Sequence, residues 1–396
     1  MKRILALAFR VPFPLTEGAR IRIYHICNVL AKKYEVDLLA INEGMLPNGY
    51  RETLRKVFQR IVVYSFHSLR FKVNTIRGFF ARESLQTYYY HFKKVQQWVD
   101  THSSEYDALF CFHMRMTRYL ENIVKKPKVI DFIDATSINY REAQERARGM
   151  WRFIYPIENR RALTSELKIL ASFNKAFITS PFDKAYLDEN SGHPNDNLIV
   201  IPNGIKEELL ARNNRFQRKE EDWLVFLGKM DYAPNVDAVT YFAREIFPLV
   251  KQKCDVKFYI VGTSPTKEVL ELRKMDGVEV TGYVDDPYWY LERANLVVAP
   301  LRFGAGSQYK ILEAMALGKA VVTTSKGARG INGKDGEHCL IVDDPHDMAK
   351  TIILLCHDAT LRQYLGDNAQ ELVKKNYQWN VIGEKLLAEI NDVFSL

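Results

Sequence analysis

The sequence predicts two consecutive doubly wound α/β domains, and three observations carry that prediction. Short, nearly continuous apolar runs alternate with longer stretches of 3.6-residue periodicity, the pattern of parallel strands covered by helices on both faces. The alternation stops once, at Ile201-Pro202-Asn203-Gly204-Ile205, where a Pro and Asn-Gly turn leads into a polar stretch from Lys206 to Asp222. It then restarts and runs on through the rest of the chain. The first domain is read as residues 1–205, and the second begins at 206.

In the first half the strand candidates are Ile4–Phe9, Val36–Ile41, Ile61–Tyr64, Ala108–Phe112, Val129–Ile133, Ala176–Thr179 and Leu198–Ile201. Helical periodicity separates them, as in Ile21, Tyr24, His25, Val29 and Leu30. The second half reads as strand Trp223–Leu227, helix Val236–Cys254, strand Lys257–Val261, helix Lys267–Met275 and strand Val278–Val284. Helix Tyr288–Ala294, strand Leu296–Ala299, helix Ser307–Leu317 and strands Ala320–Thr324 and Cys339–Val342 follow. Two long helical patterns close it, His346–Tyr377 and Trp379–Phe394.

Composition narrows the function classes. With 396 residues, 47% of them hydrophobic, each domain can bury a core, which excludes a disordered chain. Gly (20) and Pro (14) are ordinary, which excludes a collagen-like one. No apolar run approaches the roughly 18–20 residues of a membrane helix. The apolar stretch Ile4–Phe9 is shorter than the roughly 7–15 residues of a secretory core, so a cytoplasmic location is expected. Five scattered cysteines without a C-x-x-C pair suit reduced thiols rather than a disulfide framework or a zinc site.

Charge is uneven. Residues 1–205 carry 31 Lys and Arg against 20 Asp and Glu, and the remainder 25 against 28. A polyanionic partner is therefore expected at the first half. The segment from His67 to Lys94 holds Arg70, Lys72, Arg77 and Arg82 among many aromatics, with Glu83 its one acid. It reads two ways: an interfacial surface for anionic lipid, at the inner face of the cytoplasmic membrane, or a solvated basic face over core aromatics.

Ligands of open parallel sheets bind at the carboxyl ends of strands, and four such loops stand out. Arg10 to Arg20, after the first strand, includes Gly18 just before a helix and is either a substrate loop or a plain turn. It is neither G-x-G-x-x-G nor a Walker loop. Ala299 to Gly318 joins a strand to a helix through Gly304 and Gly306, with Arg302 beside them and Lys310 and Glu313 on one helix face. That face suits an ammonium on phosphate and a carboxylate on ribose hydroxyls; the alternative is a surface i,i+3 pair. His113 and Asp134 follow the fourth and fifth strands of the first domain. His113 reads as a catalytic residue or a structural histidine, and Asp134 as a catalytic carboxylate or a helix cap. Asp285-Asp286 and Asp343-Asp344 each precede proline and suit turns better than a metal.

The run from Val298 to Thr324, with Leu312-Glu313-Ala314-Met315-Ala316-Leu317-Gly318, resembles the donor motif of glycosyltransferase family 4, whose fold is GT-B. Pro202-Asn203-Gly204, Gly228, Gly262, Gly282-Tyr283-Val284 and the run Gly228 to Asn235 fall in the family's order, as in the sugar transferases of bacterial exopolysaccharide clusters. The resemblance implies two Rossmann-like domains facing a central cleft, an acceptor-binding 1–205 and a nucleotide-sugar-binding 206–378, with helix 379–396 packing back on the first. It implies retaining, metal-independent hexosyl transfer from a UDP- or GDP-sugar to a lipid-linked or growing saccharide. A nucleic acid partner is a further reading of the basic half, ranked last because the aromatic-basic stretch lacks any known RNA or DNA motif. Glu313 matches the ribose carboxylate, Tyr283 and Val284 the nucleobase loop, Gly18 the loop near the transferred sugar, and Lys229 the phosphate-binding arginine. Ala305 replaces the family's first donor glutamate, and the family's following lysine falls near Asn235. Arg302 and Lys310 are expected to restore the missing positive charge. Alternatives are a nucleotide-sugar epimerase or a non-catalytic nucleotide-sugar-binding scaffold.

Overall fold

The computed structural model describes all residues except 16, 80–82, 146, 148, 213–220, 305–307 and 395–396. The chain forms two compact units, Met1–Asn203 with Trp379–Leu396, and Gly204–Gln378. Gly204 and Ile205 thus lie in the second unit, where the Ile205 amide donates to the Tyr377 carbonyl at 2.6 Å.

The first unit is a seven-stranded parallel sheet: β1 (Arg3–Ala8), β2 (Glu35–Glu43), β3 (Ile61–Phe66), β4 (Ala108–Phe112), β5 (Lys128–Asp131), β6 (Lys175–Ile178) and β7 (Leu198–Val200). Its order is β3-β2-β1-β4-β5-β6-β7, so strand order reverses between β1 and β4. Ile4 to Ala8 and all of β4 are buried, because helices cover both faces of a parallel sheet. A wholly buried ion pair fixes the reversal region. Arg22, on the helix Gly18–Leu30, donates to both Asp131 carboxylate oxygens at 2.7 and 3.1 Å, and to the Pro202 carbonyl and Asn203 Oδ1. The helix Trp379–Val393 lies against Gly18–Leu30: Trp379 stacks on His25 with ring centroids 4.8 Å apart, and Lys175 pairs with Glu389.

The second unit is a six-stranded parallel sheet: β8 (Glu221–Leu227), β9 (Lys257–Val261), β10 (Val278–Gly282), β11 (Ala294–Ala299), β12 (Ala320–Thr323) and β13 (Leu340–Ile341). Its order is β10-β9-β8-β11-β12-β13, reversing between β8 and β11. Strand alternation divides its core in two. Leu224, Phe226, Leu296 and Val298 join one buried cluster, and Val225, Val297 and Ala299 join the other. This is the period-2 consequence of a sheet covered on both sides.

One expectation needs correcting, and the two readings of the basic segment can be compared with its burial. The pattern His346–Tyr377 is two helices, Pro345–His357 and Ala359–Asn376. Asp358 ends the first and caps the second, its carboxylate accepting from the Leu361 amide at 2.8 Å. The aromatics of the basic segment are mainly core: Phe66, Phe71, Tyr90 and Phe92 are buried and pack ring on ring. What the helix Ser68–Phe79 exposes is aliphatic, namely Leu69, Val73 and Ile76, beside exposed Arg70, Lys72 and Arg77. Arg82 lies outside the described residues.

Candidate functional site

In the second unit the reversal point gathers the loops after β8 and β11. Gly262, after β9, has φ +148, and a Cβ there would stand 1.7 Å from the Gly228 carbonyl oxygen; only glycine lets these two turns touch. Gly304 (φ +114) lies under Pro234, the nearest atom being 3.4 Å from where a Cβ would stand. Gly306 and Ala305 lie outside the described residues.

Lys310 stands in the first turn of the helix Tyr309–Ala316. Its Nζ donates to Asn235 Oδ1 at 2.9 Å and to Gln308 Oε1 at 3.3 Å, and lies 5.2 Å from the Phe226 ring centroid. Both acceptors are neutral, and among the described residues no carboxylate comes within ion-pair distance of it. Asn235 is buried, and its Nδ2 donates to the Lys229 carbonyl at 2.9 Å. A single amide thus ties the ammonium to the loop after β8. Desolvation of a charge whose hydrogen bonds go only to neutral groups lowers the Lys310 pKa to about 8.

Glu313, one turn on, accepts from the Tyr288 hydroxyl at 2.9 Å. Burial raises its pKa to about 7, against the opposing effects of Tyr288, Lys310 and Lys206. Lys310 and Glu313 are therefore a half-buried pair, each desolvated, rather than a surface salt bridge. Arg302 is placed differently. Its guanidinium is forked onto Asp237 at 2.9 and 2.6 Å and lies over Tyr241, so its charge is already met and it does not supply the expected free cation. Lys229 is half exposed, 3.3 Å from Asp231. Tyr283 is 73% exposed, whereas Val284 is partly buried against the core cluster that includes Ile311 and Leu312. Asp286 binds Arg212 and the Tyr288 amide, and Asp344 caps the helix Pro345–His357.

In the first unit, His113 and Asp134 follow the neighbouring strands β4 and β5. His113 is buried with φ +68, and its Nε2 lies 3.5 Å from Thr136 Oγ1. Burial, with Arg115 and Arg10 nearby, holds it well below the usual imidazole range, so it is neutral at pH 7. Asp134 is no helix cap: the helix Thr136–Gln144 has no side-chain cap at its first position, and Asp134 accepts from Asn139 Nδ2 at 3.0 Å. Burial raises it to about 6. Buried Glu166 instead takes the Ser137 amide and hydroxyl. Gly18 is exposed at the start of its helix. Sequence reasoning missed Asn235 and Tyr288 as partners. Asn235 was within reach, since it stands in the quoted Gly228–Asn235 run where a family cation falls.

Comparison with known proteins adds to this geometry. Residues 221–358, within the second unit, match the model of the family described as Glycosyl transferases group 1. The chain is 21% identical over 403 residues to an uncharacterized 44.6 kDa protein in the cps region of Klebsiella pneumoniae, covering 98% of this chain and 100% of that one. It is 25% identical over 202 residues to the capsular polysaccharide biosynthesis glycosyltransferase CapM of Staphylococcus aureus, 48% of this chain and 53% of CapM. Sucrose-phosphate synthase from Thermosynechococcus elongatus superposes over 100% of both chains with TM-score 0.72 and 17% identity. HepE of Anabaena, solved in complex with UDP, superposes over 99% of this chain and 100% of its own with TM-score 0.69 and 14% identity. At these identities the structural likeness shows the fold, GT-B.

Proposed function

We propose that the protein is a retaining glycosyltransferase of the family 4 type. In this reading it moves a hexose from a UDP- or GDP-sugar to a lipid-linked or growing saccharide during surface polysaccharide synthesis. The observation that carries it is Lys310: a half-buried ammonium at the reversal point of a parallel sheet, held by neutral partners only. Such a cation is poised for an incoming phosphate, and the reversal point is where open sheets bind ligands. Cleavage of the glycosyl–phosphate bond leaves the electron pair on the departing diphosphate, so Lys310 stabilises the transition state more than the ground state. Glu313 accepts from the ribose hydroxyls, Tyr283 and Val284 line the base, and Lys229, half exposed although 3.3 Å from Asp231, is a second cation that a phosphate can draw on. HepE, related in fold, was also solved with UDP-glucose, which supports a UDP donor.

In the first unit the acceptor hydroxyl loses its proton as its oxygen bonds the anomeric carbon. Asp134, raised to about 6 yet largely ionised at pH 7, is the nearby carboxylate for that proton. Neutral His113 and the backbone at Gly18 position the transferred sugar. No metal is needed for the leaving group, so EDTA should leave turnover intact. The exposed Leu69, Val73 and Ile76 stripe with Arg70, Lys72 and Arg77 suits the inner face of a cytoplasmic membrane. Neutralising the three cations should weaken binding to anionic vesicles, and equal binding removes the membrane from the reading. The central test is a titration with UDP and GDP, followed by NMR of the product anomer. Binding of neither nucleotide, or an inverted anomeric centre, defeats the proposal.

A further inference from the structure

The first unit has its own reversal point, where the loops after β1 and β4 lie side by side, and cations converge there. Phe9 is buried immediately after β1. The guanidinium carbons of Arg10 and Arg115 each lie 4.8 Å from the centroid of its ring, so the two charges are no more than twice that distance apart. Arg115 also lies 5.2 Å from the Tyr90 ring centroid. Its Nε donates to Gln86 Oε1 at 2.7 Å, and Gln86 is oriented in turn by donating to the Tyr140 hydroxyl at 2.8 Å. Among the described residues nothing accepts from the two terminal nitrogens of Arg115.

Arg20 completes the group. Its Nε is buried without a hydrogen-bond partner, 3.5 Å from Glu17 Oε2. Arg10 donates to that same oxygen at 2.7 Å. Two arginines thus share one carboxylate oxygen, while the third is held by a neutral amide and two rings. Asp134 lies within electrostatic range of Arg115 without an ion-pair contact. Three guanidiniums against two carboxylates leave a positive site at the place where a doubly wound sheet binds its ligand.

We propose that Arg115, with Arg10 beside it and Arg20 sharing Arg10's carboxylate partner, binds an oxyanion group on the acceptor, a phosphate or a carboxylate, so that the acceptor is an anionic saccharide or a saccharide phosphate rather than a neutral sugar. The inference rests on reading the first unit as the acceptor side of a glycosyltransferase. A guanidinium stacked on aromatic rings and fixed through Nε presents its two remaining amino groups as a fork, which matches two oxygens of such a group. Gln86 is a positioning residue: it fixes the plane of the fork.

The test is calorimetric, on the full-length protein saturated with UDP so that the Lys310 site is filled. Inorganic pyrophosphate and glucuronate are then titrated separately, to distinguish a phosphate from a carboxylate ligand. At least one should bind saturably, with affinity reduced at least tenfold in Arg115→Gln and about threefold or more in Arg10→Gln. Arg115→Lys should recover only part of the loss. Saturable binding that both glutamine variants leave unchanged overturns the proposal, as does binding of neither probe. Should UDP itself fail to bind, the nucleotide reading falls separately. The Arg115 dependence is then read in Lys310→Ala protein without nucleotide.

Discussion

The two reversal points solve the same problem, holding a cation at the carboxyl edge of a parallel sheet, by different means. In the second unit the cation is a lysine, linked through the Asn235 amide to the loop after β8. The nearby arginine, Arg302, is neutralised by Asp237. In the first unit the cations are arginines stacked around Phe9, and a separate buried pair, Arg22 with Asp131, fixes the surrounding loops. A lysine site titrates and adapts. An arginine site keeps its charge and selects by shape. Under the proposed function, the difference suits a nucleotide released as a leaving group from the second unit and an acceptor oriented by the first.

The largest effect that probes this contrast is on stability. Arg22→Met leaves the Asp131 carboxylate buried without its partner, and should destabilise the first unit by about 3–5 kcal/mol, read as a lower denaturation midpoint. Pairing it with Asp131→Leu should recover much of the loss, because two apolar groups bury no unpaired charge. An unmoved midpoint in the single variant means that the pair does not fix the first reversal point. A smaller effect separates the two cations of the second unit. Lys310→Ala should weaken UDP binding on the order of 10- to 100-fold, the scale of a lost charge-assisted hydrogen bond. Arg302→Ala should change it by less than about threefold, since that guanidinium is already engaged. Equal losses in calorimetry would show that Arg302 leaves Asp237 to reach the nucleotide, and the contrast between free and neutralised cations would fail.

Some of this was legible in the residues and some was not. The strands were, because parallel strands buried on both faces are nearly continuous apolar runs; Ala108–Phe112 and Lys257–Val261 coincide with the observed elements. Lys310 and Glu313 announced themselves by sharing a helix face next to a glycine turn. The balance of charge at the two reversal points did not, because the partners lie far off in sequence: Asp237 is 65 residues from Arg302 in the second unit, and Asp131 is 109 from Arg22 in the first. Of the two readings of Asp134, the cap was open because its local sequence permits one, yet Glu166, 29 residues beyond Ser137, takes the amide that a cap would serve. For the basic segment both readings were open: the sheet edge buries Phe66, Phe71, Tyr90 and Phe92 as core aromatics, and the i, i+4, i+7 spacing of Leu69, Val73 and Ile76 is the exposed signal.

The sharpest comparison is pH. Lys310 loses its proton near pH 8 in the free protein, and a diphosphate favours the charged form, so nucleotide affinity should fall as pH rises through 8, approaching tenfold per unit above it. Glu313, raised to about 7, is charged only above that value, so affinity should also slacken modestly below 7 as the ribose acceptor is protonated. Tyr288→Phe removes a hydrogen bond that favours the carboxylate, and should move this acid limb upward. Lys310→Arg should abolish the alkaline limb, because a guanidinium keeps its proton across the range. Oxyanion binding at Arg115 should lack an alkaline limb for the same reason: burial lowers that guanidinium, but from so high an ordinary value that it stays charged. It should instead strengthen below about pH 6, where Asp134 takes a proton and ceases to repel the ligand. Calorimetric titrations of UDP and of the first-unit probe from pH 5.5 to about 9.5 would give profiles of opposite slope at the acid end, with only the UDP profile falling at the alkaline end. Parallel profiles would mean that both ligands sit at one site.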